Sequence, residues 1–346
     1  MKNNKFLSNF KISFGIFFVS LILFGWYHII ILYQPFVSIE SLEMEDSIPF
    51  SSESEKLKEN TKSLSEMNRT SSDWREWVVQ FLLWILQKSG ISECGQGTMW
   101  CYTLQKYMAW AEKHKNIIVE KSEENNEPIF IVWAHYDSFH DLPGADDNAS
   151  GVAWLLEIIR IVNEHTDIFL SKNFQFVFYS SEEPPYYATD TMWSYVHAES
   201  VSKKDIWWVL ILEMIGYFRE EDNSQGYPIS LLKYLYPQKG NFIALISNND
   251  WNNISLTRNI KKEMYSYLAQ SKSIEVFSMN APRFIEGVDF SDHRNYWTFD
   301  IPAIMITDTS FNRNRAYHTS SDTYDRLDYD KMKEVVNAVL YFLSKN

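Results

Sequence analysis

The chain has 346 residues, 45% of them hydrophobic and 16% aromatic, enough for one large core or two small ones. A formal net charge of −13 argues against a binder of nucleic-acid phosphates, which needs lysine and arginine in excess. Two cysteines, Cys94 and Cys101, are too few for a disulfide scaffold.

In chain order, Lys2, Lys5 and Lys11 precede an uncharged stretch, "ISFGIFFVSLILFGWYHIIILY", over residues 12–33. A helix needs about 20 apolar residues to cross the hydrocarbon layer. This run reaches that length and exceeds the apolar region of a cleaved signal peptide, about 7–15 residues. It therefore reads as a transmembrane signal anchor. The basic flank puts residues 1–11 in the cytosol and the remainder on the extracytoplasmic side, in a periplasm or an organelle lumen. There Cys94 and Cys101 either pair or stay as buried thiols. Residues 34–71 are rich in Ser, Glu, Lys and Asn, which reads as a disordered tether.

At Ser72 the character changes, and residues 72–346 read as one domain. "SDWREWVVQFLLWILQKSG" has a Ser cap, Trp and Leu at helical spacing, and a Gly stop, so it predicts a helix. "TLQKYMAWAEKHK" predicts a second. "NIIVEK" and "PIFIVWA" read as strands, and "SGVAWLLEIIRIVNEH" as a buried helix. "NFQFVFYS", a strand within "DIWWVLILEMI", "NFIALIS" and "IPAIMIT" follow as strands. "SLTRNIKKEMYSYLAQS" and "DYDKMKEVVNAVLYFLSKN" read as helices. Such alternation predicts an α/β fold with a central, mostly parallel mixed sheet flanked by helices.

In parallel sheets, ligands sit beyond the carboxyl ends of the strands, so acids and histidines matter most where strands stop. His135 and Asp137 follow "PIFIVWA", and two residues apart on an extended chain they face the same way. Asp146 and Asp147 sit in a loop just before the buried helix. Glu182 and Glu183 end one strand, Glu213 ends another, and His318 lies a few residues past "IPAIMIT". Each alone reads as a solvated turn, a helix cap or a satisfied histidine. Together at one sheet edge they would crowd several negative charges, which needs compensating cations. Zinc accepts this set of donors.

"AHYDS", "GADDNASG", "SSEEPP", "LEMIGY", "SDHRNYW" and "YHTSSDT", in this order and spacing, resemble the zinc-dependent exopeptidases typified by bacterial leucyl aminopeptidase. Glutamate carboxypeptidase, glutaminyl cyclase and the transferrin receptor ectodomain are relatives. The resemblance covers roughly residues 116–346. It implies two zinc ions. His135 and Glu213 would hold the first, Glu183 and His318 the second, and Asp147 would bridge both. It further implies a cis peptide bond after Asp147, Asp137 as the carboxylate that orients His135, and Glu182 as the general base. Asp292 is a further candidate support. The implied activity is hydrolysis of the N-terminal peptide bond of substrates with a free α-amine.

Two features depart from the family pattern. Ser320 stands where relatives usually have proline, and "PPYYATDTMWS" follows the glutamate pair. Tyr186, Tyr187, Trp193 and Tyr217 either line a pocket or serve as core aromatics. The alternative functions are cyclisation of an N-terminal glutamine, or a binding ectodomain without catalysis.

Overall fold

Long apolar runs such as "IFIVWAH" need cover on both faces, and the structure gives it. The computed structural model describes residues 17–23, 25, 48–110, 112–122, 127–271 and 273–345. Nine strands of the described residues join in one mixed sheet: β1 (Ser92–Glu93), β2 (Trp100–Ala109), β3 (Glu112–Lys121), β4 (Ile129–His135), β5 (Asn173–Tyr179), β6 (Ile206–Leu212), β7 (Phe242–Ser247), β8 (Glu275–Asn280) and β9 (Ala303–Thr307). Their order is β1-β2-β3-β5-β4-β6-β9-β7-β8. β5, β4, β6 and β9 run parallel, and β2, β3 and β7 supply antiparallel pairs.

Side chains alternate across the sheet, as the pleat requires. Phe130, Val132 and Ala134 enter one core, while Ile131 and Trp133 enter the other. The larger core is covered by helices Ser72–Lys88, Gly151–Glu164, Trp251–Ser271 and Tyr329–Lys345. The smaller is covered by Trp193–Val201 and His293–Trp297. β5 lies on one side of β4 and β6 on the other, so the chain reverses direction across the sheet at β4. Such a switch opens a crevice at the carboxyl ends of the strands.

Two sequence expectations change. First, "TLQKYMAWAEKHK" is not a helix. It forms the β2–β3 hairpin, paired residue for residue from Trp100↔Lys121 to Ala109↔Glu112. Cross-strand partners and the positive φ of Trp110 (47°) at the turn outweigh a local helical pattern. The two cysteines beside it are joined as a disulfide, Cys94–Cys101.

Second, residues 54–71 are not part of a tether. Ser54–Ser65 is a helix whose Leu57, Thr61, Leu64 and Ser65 are buried. It packs on the loop 145–150 and on helices Gly151–Glu164 and Tyr329–Lys345. Its entry is fixed by Ser52 N–H donating to Asn337 (2.9 Å) and Glu53 N–H donating to Glu157 (2.9 Å). Two leucines and a threonine on one side make a stripe too narrow to lift the apolar content of the stretch, yet wide enough to dock.

The expected span at 12–33 lies mostly outside the described residues, and the segment before it wholly so. Residues 17–23 are helical. No helix among the described residues is long and apolar enough to cross a membrane.

Fully burying a leucine stabilises a fold by about 1.5–3 kcal/mol, and 1 kcal/mol moves the melting point of a domain near this size by about 2–4 °C. A chain starting at residue 48 will therefore melt with the full-length protein, whereas one starting at Ser72 will melt at least ~6 °C lower. Equal melting points for the two truncations, read by calorimetry, would show that the Ser54–Ser65 helix is dispensable.

Candidate metal centre

His135 is the last residue of β4 and is fully buried. Its Nδ1 lies 3.3 Å from Asp137 Oδ1. A carboxylate there accepts a hydrogen bond from Nδ1–H, which leaves the Nε2 lone pair facing forward. The same carboxylate accepts the Glu182 N–H (3.0 and 3.1 Å) and the Glu183 N–H (3.1 Å). One side chain thus aims an imidazole and fixes the turn that carries the glutamate pair.

Asp147 is held from three sides. The Asp322 carboxylate accepts N–H groups of Asp146 and Asp147 at 3.1–3.2 Å. Asn148 donates to Leu212 O (2.7 Å) and accepts from Gly151 N–H and Met214 N–H. The Asp147–Asn148 peptide is cis, as the family resemblance implied. Gly151 is required, because a Cβ would lie 2.4 Å from Asn148 Oδ1 and 2.5 Å from Leu212 O.

These supports place the two Asp147 oxygens against two different groups. Oδ1 is 3.6 Å from His135 Nε2, which is 3.4 Å from Glu213 Oε2. Oδ2 is 3.0 Å from His318 Nε2, which is 3.4 Å from Glu183 Oε2. The donor atoms of each group lie within 4.8 Å of one another. His135, Asp147, Glu183, Glu213 and His318 are thus brought together from five chain segments. Glu182, also buried, belongs to neither group and lines the adjoining cavity.

The electrostatics of this cluster call for cations. Burial, then the charges of Glu183 and Glu213, pushes the Glu182 carboxyl well above its usual range, although His135 opposes it. Burial and Asp147 push Glu183 up to about 8. Burial and Asp147 also raise Glu213. Burial alone would lower His318, but the nearby carboxylates of Asp147 and Glu183 outweigh it and hold the imidazole at about 9. Without a cation, the cluster holds protons instead. His135 Nε2, His318 Nε2 and Glu183 Oε1 are buried with no hydrogen-bond partner. Unpartnered nitrogen and carboxylate donors arranged in this way fit a divalent metal such as zinc.

The surroundings include parts that sequence reading did not single out. His318 is sandwiched between Phe139 (ring centroids 3.9 Å) and Tyr317 (3.8 Å), which fixes its plane. Ser291 Oγ donates to Glu213 Oε2 (2.7 Å), while neighbouring Asp292 is instead bonded by Ser194. Asp146 turns away from the centre and accepts from Gly216 N–H and Asn314. Arg69, fully buried, donates to the carbonyls of Pro143 (2.7 Å) and Gly144 (2.6 Å), clamping the loop ahead of Asp147. Of the four aromatics considered from sequence, Tyr187 lines the cavity, whereas Trp193 is fully buried in the smaller core. Tyr186 packs on His114, and Tyr217 bonds Arg219 and Arg326. The cavity, about 250 Å³, has a largely apolar wall that includes Tyr227, Leu232, Phe242, Phe277 and Met305.

The sheet edge at the switch point thus bears two donor groups with a shared carboxylate, each able to hold a divalent cation. The chain belongs to peptidase family M28, whose model matches residues 116–343, and is thereby a metallopeptidase. It is 44% identical over 238 residues to the uncharacterized protein YfbL of Escherichia coli (strain K12), covering 66% of this chain and 70% of that one. It is 29% identical over 244 residues to the probable aminopeptidase YDR415C of Saccharomyces cerevisiae, covering 66% of this chain but 56% of that one. In fold it resembles the Legionella pneumophila LapA aminopeptidase (TM-score 0.61, 19% identity, 84% of this chain and 71% of that one). It resembles Porphyromonas gingivalis glutaminyl cyclase equally well (TM-score 0.61, 17% identity, 85% and 98%).

Replacing Asp137 by asparagine will weaken zinc binding about 10- to 100-fold, measured by competition with a chelator, because the imidazole loses its orienting partner. An unchanged affinity would show that Asp137 does not position His135. Protons also compete with metal at His318 and Glu183. Both groups are raised, so below about pH 8 each holds a proton that the metal must displace. Zinc affinity will fall as the pH drops from 9 to 6, and calorimetry in buffers of different ionisation enthalpy will detect proton release at pH 7. Binding without proton release would contradict the assignment of these donors.

Proposed function

We propose that the protein is a membrane-anchored dizinc aminopeptidase that removes the N-terminal residue of peptides with a free α-amine. The observation that carries this reading is the Asp147 carboxylate, with one oxygen toward the His135–Glu213 group and the other toward the Glu183–His318 group. When bound there, two zinc ions would polarise the scissile carbonyl, acidify a water and engage the substrate amine.

The residues divide the remaining work. His135, Asp147 and Glu213 would hold one ion, and Asp147, Glu183 and His318 the other. Glu182 adjoins a donor residue but stays outside both groups, so its carboxylate is free to take a proton from water and return it to the leaving amine. Burial pushes this carboxyl up and nearby cations would pull it back down, which suits a group that both accepts and donates near neutral pH. The apolar cavity beside Glu182 would receive the side chain of the residue removed, favouring apolar N-termini.

Anchoring would come from residues 12–33. The lysine flank supports a cytosolic N-terminus, and the Cys94–Cys101 disulfide suits an oxidising extracytoplasmic compartment.

The test uses full-length, zinc-loaded protein and a pool of unblocked peptides, some beginning with glutamine, followed by mass. Stepwise loss of N-terminal residues is expected. The rate should fall by about 10²–10⁴-fold in Glu182→Gln with zinc retained. Loss of ammonia from the glutamine peptides alone would replace the proposal with a cyclase, and no mass change with zinc bound would refute both.

A further inference from the structure

The helix Ser72–Lys88 has two apolar faces. Val78, Val79, Leu82 and Leu86 are buried in the larger core. The opposite side carries Trp74, Trp77 and Trp84, which are 53%, 69% and 50% exposed. Phe81 lies between them and stacks on Trp84 at 6.1 Å. Positions 77, 81, 84 and 88 follow helical spacing, so the aromatic rings form one ridge that ends at Lys88. The Lys88 ammonium sits 3.6 Å above the Trp84 ring. The adjoining hairpin, tied on by Arg75 to Glu112, adds exposed Met108 and Trp110. Exposed apolar area of this extent marks an interaction surface.

We propose that this ridge lies in the headgroup layer of an anionic phospholipid bilayer, the same one that residues 12–33 would enter; the inference rests on that anchor reading. Three observations select this occupant. The first is composition: tryptophan beside lysine is the chemistry of the membrane interface. The second is reach. Residues 34–47 number 14 and extend at most about 50 Å, so Ile48 stays within that distance of the anchor. Phe50 packs on His165, and Asn163 of the same helix end bonds Ser89 O at the end of the ridge helix (2.8 Å). The chain therefore enters the domain beside the ridge. The third is charge. The chain as a whole is acidic, but Glu76 is paired with Lys115 and Glu112 with Arg75, and exposed Lys88, Lys106 and Lys113 outnumber the one exposed carboxylate of the ridge helix left without an ion pair, Asp73. None of the ridge residues lines the cavity, so docking would leave the metal centre open to substrate.

The test places full-length protein in phosphatidylcholine–phosphatidylglycerol vesicles, with and without lipids brominated near the headgroup. Tryptophan fluorescence is compared between wild type and a Trp74→Ser, Trp77→Ser, Trp84→Ser variant. Bromine should remove more fluorescence from the wild type, while the variant keeps its melting point in detergent. Equal loss in both proteins, with the chain retained through an alkaline carbonate wash, would overturn the ridge contact and leave the anchor standing. Release by the wash together with ridge quenching would overturn the anchor alone, and release without quenching would overturn both. A dimer in detergent that the triple substitution abolishes, without any difference in quenching, would assign the ridge to a second copy instead.

Discussion

A buried carboxylate is costly unless something balances it, and this fold gathers five of them beside two imidazoles at one sheet edge. Asp137, Asp147, Glu182, Glu183 and Glu213 are each less than a tenth exposed. Desolvation and the neighbouring carboxylates push Glu182, Glu183 and Glu213 toward taking up positive charge. In the metal-free protein that charge comes from protons, which is why Glu183 and His318 sit at about 8 and 9. A divalent cation in each group, as proposed, would supply it better, since it would reach several donors at once.

The rest of the structure keeps those donors from relaxing apart. Asp137 couples the end of β4 to the turn after β5 through three hydrogen bonds. Asn148 couples the Asp147 loop to the end of β6. Asp322 ties the same loop to the segment that carries His318. Arg69 clamps it from a part of the chain that lies before the family-matched residues. Each strap joins two segments distant in sequence, so the centre is rigid only once the whole domain has folded. Residues 48–71 belong to that scaffold even though their composition is that of a linker.

The sequence was most readable where one residue type must stand at one place. Runs such as "PIFIVWA" and "NFQFVFY" are too apolar for anything but buried strands, and the acids that end them mark the sheet edge. The pairing of Glu182 and Glu183, and the order of the surrounding motifs, made the donor set visible residue by residue. What could not be read depends on distant partners. "TLQKYMAWAEKHK" forms a hairpin because β2 and β3 pair residue for residue along their whole length. Ser54–Ser65 is a helix because its narrow stripe finds a groove between two other helices. Phe139 and Tyr317 are ordinary aromatics in sequence, and only folding stacks them on opposite faces of His318.

One carboxylate, Asp147, is proposed to serve two cations. Counting zinc per folded chain by inductively coupled plasma mass spectrometry tests it most directly. Two ions are expected in the wild type, one in His318→Ala, and loss of both at low micromolar free zinc in Asp147→Asn, with all three proteins giving the same circular dichroism. A folded Asp147→Asn protein that still holds two ions at that concentration would contradict it.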